Sequence, residues 1–258
     1  MKKAICLLLT SVVTACFAAS AHAQVTPPGQ GGKLVLWTAL EVEQQMGKRW
    51  TSHTTFGIGR HSGPNNYAIL EQPGVFTVRE GFSYKLTKQL TASLTGMYAQ
   101  RPYFEENLPA YQQELRLYPK LKHTFSLGNI TFSEYIRLDF RRFYQPGWSA
   151  WKNPLEIRPR YQLKASMPFT RNKRTSLILI TEMMGATRGV RKEVGGQVLN
   201  KMQPFQYTEN RTSLYLRHQL KHLNWYVDMG VMHQYWRQKE NQFKSTFLFG
   251  VDVIMVSW

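Results

Sequence analysis

The sequence predicts an all-β chain, a single antiparallel transmembrane β-barrel of about ten to twelve strands with short periplasmic turns and longer extracellular loops. Three observations predict it: an export leader, long segments that alternate with period two between an apolar and a charged face, and an aromatic C-terminus on an apolar strand.

The leader comes first. Lys2 and Lys3, the apolar run Ala4 to Val13 and then Ala21-His22-Ala23 follow the three-part plan of a secretory signal over residues 1–23, with cleavage before Gln24. The apolar run is shorter than the ~20 residues of a spanning helix. A competing reading treats Val13-Thr14-Ala15-Cys16 as a lipobox that would lipidate Cys16. Apolar composition continuing to the A-x-A site argues against it, and a chain held by its own barrel needs no lipid. Cys6 and Cys16 are the only cysteines. A chain starting at Gln24 therefore has no disulfide and no thiolate for catalysis or metal binding.

The formal net charge is +17, and removing a leader with two lysines and no acidic residue leaves +15. In an exported chain such charge points to lipopolysaccharide phosphates, anionic headgroups or acidic solutes rather than nucleic acid. Residues 24–32, rich in Pro and Gly, read as a flexible lead-in, and residues 33–258 as one barrel domain.

The strands follow in order. Leu34, Leu36, Leu40 and Val42 oppose Glu41 and Glu43; Phe76, Val78, Phe82, Tyr84 and Leu86 alternate with Thr77, Arg79, Gly81, Ser83 and Lys85. Leu90, Ala92, Leu94 and Tyr98 continue across a hairpin. Ile136, Leu138 and Phe140 alternate with Arg137, Asp139 and Arg141; Leu155, Ile157, Tyr161 and Leu163 with Glu156, Arg158, Arg160 and Lys164. Leu214 and Leu216 oppose Arg211 and Arg217; Trp225, Val227 and Met229 oppose Asp228; the last strand begins near Phe243. Short connections are expected at 47–49, 87–89, 169–174 and 221–222, and long ones at 61–74, 101–110, 145–154 and 188–206. The walk yields about eleven strands, whereas single-chain bacterial barrels carry an even number. Either Gln24 to Gly32 contributes to the wall or closes it, or one segment, Tyr111 to Leu121 or part of Arg188 to Gln206, is miscounted.

Period two does not tell inside from outside, and a soluble sheet would alternate in the same way. The terminal Trp258, on a strand with Val251, Val253 and Val256, favours the membrane reading, because it resembles the signal read by barrel-assembly machinery. It falls out of phase with Phe247, Phe249 and Val251, which calls for a bulge or a frayed end. Trp37, Trp50, Tyr98, Phe143, Trp225 and Trp236 lie near strand ends as candidates for interfacial girdles.

Several pieces recur in a familiar order: Glu114-Leu115-Arg116, the strand Arg137-Leu138-Asp139-Phe140-Arg141-Arg142, Arg158-Pro159-Arg160-Tyr161 running to Met167-Pro168, Glu182, and Asn210-Arg211 before a strand. Together they resemble the DUF2490 family of uncharacterised Gram-negative outer-membrane barrels. The resemblance implies that location and fold and imports no activity.

No catalytic constellation is legible. The six histidines after the leader are His53, His61, His123, His218, His222 and His233. Ser52 and His53 are adjacent, which on a strand sends them to opposite faces. His218 and His222 would share a face only on a helix, and they flank a turn. No catalytic residue, metal or cofactor is therefore expected. What remains is the charged face: Arg79, Arg116, Arg137, Arg141, Arg158, Arg160, Lys164, Arg211, Arg217 and Lys244 with Glu41, Glu43, Glu114, Asp139, Glu156, Glu182, Asp228 and Asp252. Within it, Arg137, Arg141, Arg158, Arg160, Arg211 and Arg217 are expected to share one lumenal ion network with Asp139, Glu156, Glu182 and Asp228. The functional expectation is a non-enzymatic outer-membrane barrel with either an ion-paired structural lumen or a narrow, anion-favouring channel. The alternatives are a surface barrel whose Arg188, Arg191, Lys192 and Lys201 meet lipopolysaccharide, a soluble periplasmic β-protein, and an envelope lipid-modifying enzyme.

Overall fold

The computed structural model describes residues 34–257 apart from 63–66, 69, 106–107, 171, 195–196, 222–223 and 238–242. The leader, the lead-in, Cys16 and Trp258 lie outside the described residues. Twelve strands run in order: β1 (Leu34–Met46), β2 (Trp50–His61), β3 (Gln72–Lys85), β4 (Leu90–Glu105), β5 (Leu108–Leu127), β6 (Ile130–Tyr144), β7 (Ala150–Pro168), β8 (Thr175–Val194), β9 (Gln197–Met202), β10 (Gln206–Gln219), β11 (Trp225–Arg237) and β12 (Phe243–Ser257). Among the described residues the helical content is one 3₁₀ turn, Pro146–Trp148, and no helix is long and apolar enough to cross a membrane.

Eleven of these strands close into a barrel. Each pairs antiparallel with its neighbour, β10 bonds directly to β8, and β12 returns to β1. β9 stands apart: among the described residues it pairs with Gly189 to Val194 of β8, in a ladder that continues past the barrel. The parity difficulty thus resolves without a miscount in the wall. An up-and-down path with an odd number of strands leaves the first and last pointing the same way, so they must pair in parallel. The seam runs from Leu34↔Phe247 to Gln44↔Ser257.

The short turns fall at one end, and the φ of +76° at Gly47 and +62° at Gly128 explains glycine in two of them. At the other end two expected loops are corrected. The β4–β5 ladder continues to Glu105↔Leu108, so most of 101–110 is strand rather than loop, and β8 with β9 fills most of 188–206. β5 and β8 are each 20 residues long, well beyond the ~9–11 that cross a bilayer.

The faces divide by chemistry. Outward lie Phe56, Ile58, Phe82, Leu94, Leu117, Ile136, Leu214 and Met229, all large, apolar and exposed. The buried apolar side chains are few, among them Ala99, Tyr118, Ile178 and Met184, whereas the buried charged ones include Glu114, Arg116, Asp139, Arg141, Glu156, Arg158, Arg160, Glu182 and Glu209. The core is therefore ionic and the surface apolar, the inverse of a water-soluble sheet.

The aromatic candidates split in the same way. At the turn end Trp50 packs on Tyr84 at 4.8 Å, and Arg49 Nη1 donates to the Tyr84 hydroxyl at 3.1 Å. Tyr98 stacks on Trp148 at 6.0 Å toward the other end. Trp37 is not part of a girdle: it shares the inward phase of Glu41, and a Cβ on Gly57 would lie 2.4 Å from its ring. Phe143 shares the inward phase of Arg141, whose guanidinium lies 4.8 Å from its ring. The side chain of Trp236 is outside the described set.

Candidate functional site: a closed ring of ion pairs in the lumen

Residues two apart on a strand point to one face. Glu114 and Arg116 on β5, Arg137, Asp139 and Arg141 on β6, Glu156, Arg158 and Arg160 on β7, and Glu209 and Arg211 on β10 therefore all enter the lumen with their nearest partners beside them. Local pairs form first: Arg137 Nε donates to Asp139 Oδ1 at 2.5 Å, Arg116 Nε to Glu114 Oε1 at 2.9 Å and Arg158 Nε to Glu156 Oε1 at 3.0 Å.

Cross-strand pairs then join these groups into a closed ring of ten side chains with alternating sign. From Glu114 it passes to Arg141 (2.7 Å), to Glu156 in a shorter contact, to Arg158 (2.9 Å) and to Glu209 (3.2 Å). From Glu209 it continues to Arg211, on to Glu182 (3.6 Å) and Arg160 (3.5 Å), then to Asp139 (2.7 Å), Arg116 (3.4 Å) and back to Glu114 (2.6 Å). Arg101, Arg137 and Arg188 attach as spurs to Glu114, Asp139 and Glu156. The ring is neutral, and the spurs add three positive charges.

Glu114, Asp139 and Glu209 expose none of their side-chain surface. A lone carboxylate withdrawn from water in this way costs several kcal/mol and is tolerated only when its lone pairs are satisfied. Here Glu114 and Asp139 each meet three guanidiniums, and Glu209 accepts from Arg211, Arg158 and Gln234 Nε2. The planar, multidentate guanidinium suits this task better than a lysine would. Aromatic groups complete the packing: Arg137 lies 3.9 Å over the buried Tyr118 ring, and the Tyr135 hydroxyl donates to Glu182 at 2.7 Å.

The family model described as a protein of unknown function (DUF2490) matches residues 34–244. The chain belongs to the DUF2490 family. No curated protein matches it. Every member of the ring and its spurs lies inside the matched segment.

In this DUF2490 chain eight of the ten expected network residues are joined: Arg137, Asp139, Arg141, Glu156, Arg158, Arg160, Glu182 and Arg211. Arg217 and Asp228 are not joined to it. They form their own two-toothed pair at 2.7 and 2.6 Å between β10 and β11, nearer the turn end, where side chains are less buried. Sequence reasoning left Arg101, Glu114, Arg116, Arg188 and Glu209 out of the network. Glu209 could have been found, since it shares the phase of Arg211. Arg101 and Arg188 sat in segments read as loops. The side chains of Arg191, Lys192 and Lys244 lie outside the described set, while Lys201 is exposed on β9.

One association had no signal in spacing. The antiparallel register of β1 and β2 sets Glu43 opposite His53, and Glu41 lies two residues along on the same inward face. His53 Nε2 in turn lies 3.0 Å from Ser83 Oγ on β3.

Proposed function

We propose that this DUF2490 protein is a non-enzymatic outer-membrane barrel whose lumen is closed by the ion-paired ring, so that the ring acts as a structural plug. The observation that carries the reading is the complete burial of Glu114, Asp139 and Glu209 within a single connected network. A water-filled pore would leave such carboxylates wet. The bilayer assignment is supported by the apolar outer face, by Trp50 and Tyr84 at one rim and Tyr98 and Trp148 at the other, and by the leader sequence.

A second reading, a narrow channel favouring anions, is favoured by the three spur arginines that exceed the ring carboxylates, because surplus Arg selects anions in pores. A third role, contact with lipopolysaccharide phosphates, draws on exposed Lys201 on the protruding β9.

Reconstitution in a planar bilayer tests the plug. The wild-type protein should show no steady conductance, and Glu114→Ala with Arg141→Ala should produce ion-conducting events. Steady, anion-selective wild-type conductance would replace the plug with the channel.

A further inference from the structure

The turn-side half of the lumen differs from the ring in being open to water. Glu41, Glu43 and His53 each expose about a third of their side-chain surface (28, 34 and 30%). Two carboxylates converge there on one ring nitrogen: Glu43 Oε1 lies 3.4 Å from His53 Nδ1 and Glu41 Oε1 3.9 Å from the same atom. A ligand atom from each of the three residues lies within 4.8 Å of the others.

A single imidazole nitrogen holds one proton and can aim it at one acceptor. A divalent cation set among the three atoms engages the imidazole and both carboxylates at once. Zinc bonds to nitrogen and carboxylate oxygen at about 2.0–2.2 Å, which puts tetrahedral ligand atoms roughly 3.3–3.6 Å apart. The two His53 contacts at 3.4 and 3.9 Å lie near this, and a rotamer change must draw in the widest separation of the three atoms, up to 4.8 Å.

The supporting groups are also in place. A metal-bound histidine is normally oriented through its other ring nitrogen, and His53 Nε2 is bonded to Ser83 Oγ at 3.0 Å. Thr55 Oγ1 donates to Glu41 Oε2 at 3.4 Å, fixing that carboxylate from behind. All of these donors sit on three consecutive, hydrogen-bonded strands, so the site rests on ladder geometry rather than on a loop. Arg217 and Lys122 also act on Glu43, but the charge of Arg217 is matched by Asp228 at 2.6 Å.

We propose that Glu41, Glu43 and His53 bind one divalent transition-metal ion, Zn²⁺ foremost, on the turn side of the lumen. One nitrogen and two carboxylate oxygens form a mixed donor set suited to borderline ions rather than to Ca²⁺ or Mg²⁺. Three protein ligands leave a fourth position for water from the lumen, as in sites that exchange a ligand. The site rests on the barrel alone and is independent of whether the ring conducts.

Isothermal titration of the chain, refolded in detergent micelles and stripped with a chelator, with Zn²⁺ alone tests this. Binding of one equivalent is expected. It should be lost in His53→Gln and in the double variant Glu41→Gln with Glu43→Gln, and weakened about 10–100-fold in Ser83→Ala. His233→Gln, on the outer face, should bind as wild type. Folding of each variant is checked by the mobility difference between boiled and unboiled samples. If a ligand variant does not fold, Co²⁺ added to the wild type decides the matter: intense visible bands of low coordination number support the site, and the pale spectrum of the aqueous ion overturns it. Absence of saturable Zn²⁺ binding, or equal binding by folded His53→Gln, would also overturn it, and either result leaves the conductance experiment untouched.

Discussion

Arg160 Nη2 lies 2.7 Å from Asp139 Oδ2, tying β7 to β6 through a carboxylate with no exposed surface. The same carboxylate holds Arg137 at 2.5 Å and Arg116 at 3.4 Å. Removing it in Asp139→Ala takes from Arg137 the ion pair that holds it and from Arg116 and Arg160 one of the two carboxylates each meets, in a dry interior. Breaking a buried pair in this way costs ~3–5 kcal/mol, whereas an exposed pair is worth at most about 1 kcal/mol. Urea unfolding followed by gel mobility should show a loss in the higher range. A loss below ~1 kcal/mol would mean that water reaches the ring.

Arg217 and Asp228 pair apart from the ring, with 27 and 11% of their side chains exposed. Asp228→Ala should therefore cost less than Asp139→Ala. The two effects should also add, because distant sites without shared partners combine to within about 0.3–0.5 kcal/mol. A double-mutant cycle on unfolding free energy measures this. Strong coupling would show that the ring extends to the turn side.

Tyr215 lies against Gly230 and Gly250, and a Cβ on Gly230 would meet Leu214 O at 2.1 Å and Tyr215 Cδ1 at 2.6 Å. Backbone cannot yield as a side-chain tip can. Gly230→Ala should destabilise the barrel by about 1–3 kcal/mol, the usual cost of overpacking. Gly96→Ala, whose nearest neighbour would be 3.9 Å away, should be tolerated. Equal stabilities of the two variants would show that the wall adjusts around Gly230.

Legibility in the sequence follows the range of each interaction. Arg137, Asp139 and Arg141 announce a shared face because the strand period is two, and that rule needs only local residues. The parallel β1–β12 seam is not local: it depends on how the whole wall closes, and alternation within Leu34–Met46 carries no record of the direction of a partner more than 200 residues away. Arg158 and Glu209 meet across β8, 51 residues apart, for the same reason. In the hairpins at the other end, residues such as Pro102 and Pro109 carry turn composition, yet the ladders run on to Glu105↔Leu108 and Val194↔Gln197. His53 and the two glutamates are joined by register, which spacing along one strand does not reveal.

Ile136 stands 64% exposed on the outer face of β6, six residues from its turn-side end and directly paired with Leu121. If this face meets lipid, a charge here must be buried in hydrocarbon, and Ile136→Lys should cost ~2–4 kcal/mol. Leu127 is also exposed and outward, but it is the last residue of β5 before the Gly128 turn. Near the interface the same change falls to about 0–1 kcal/mol, since the lysine reaches the headgroups. In a water-soluble barrel neither substitution would matter, because exposed changes are usually within about ±0.5 kcal/mol. Unfolding of both variants from lipid vesicles therefore reads the environment of the wall: a depth-dependent loss supports the bilayer, and two neutral substitutions would reject it.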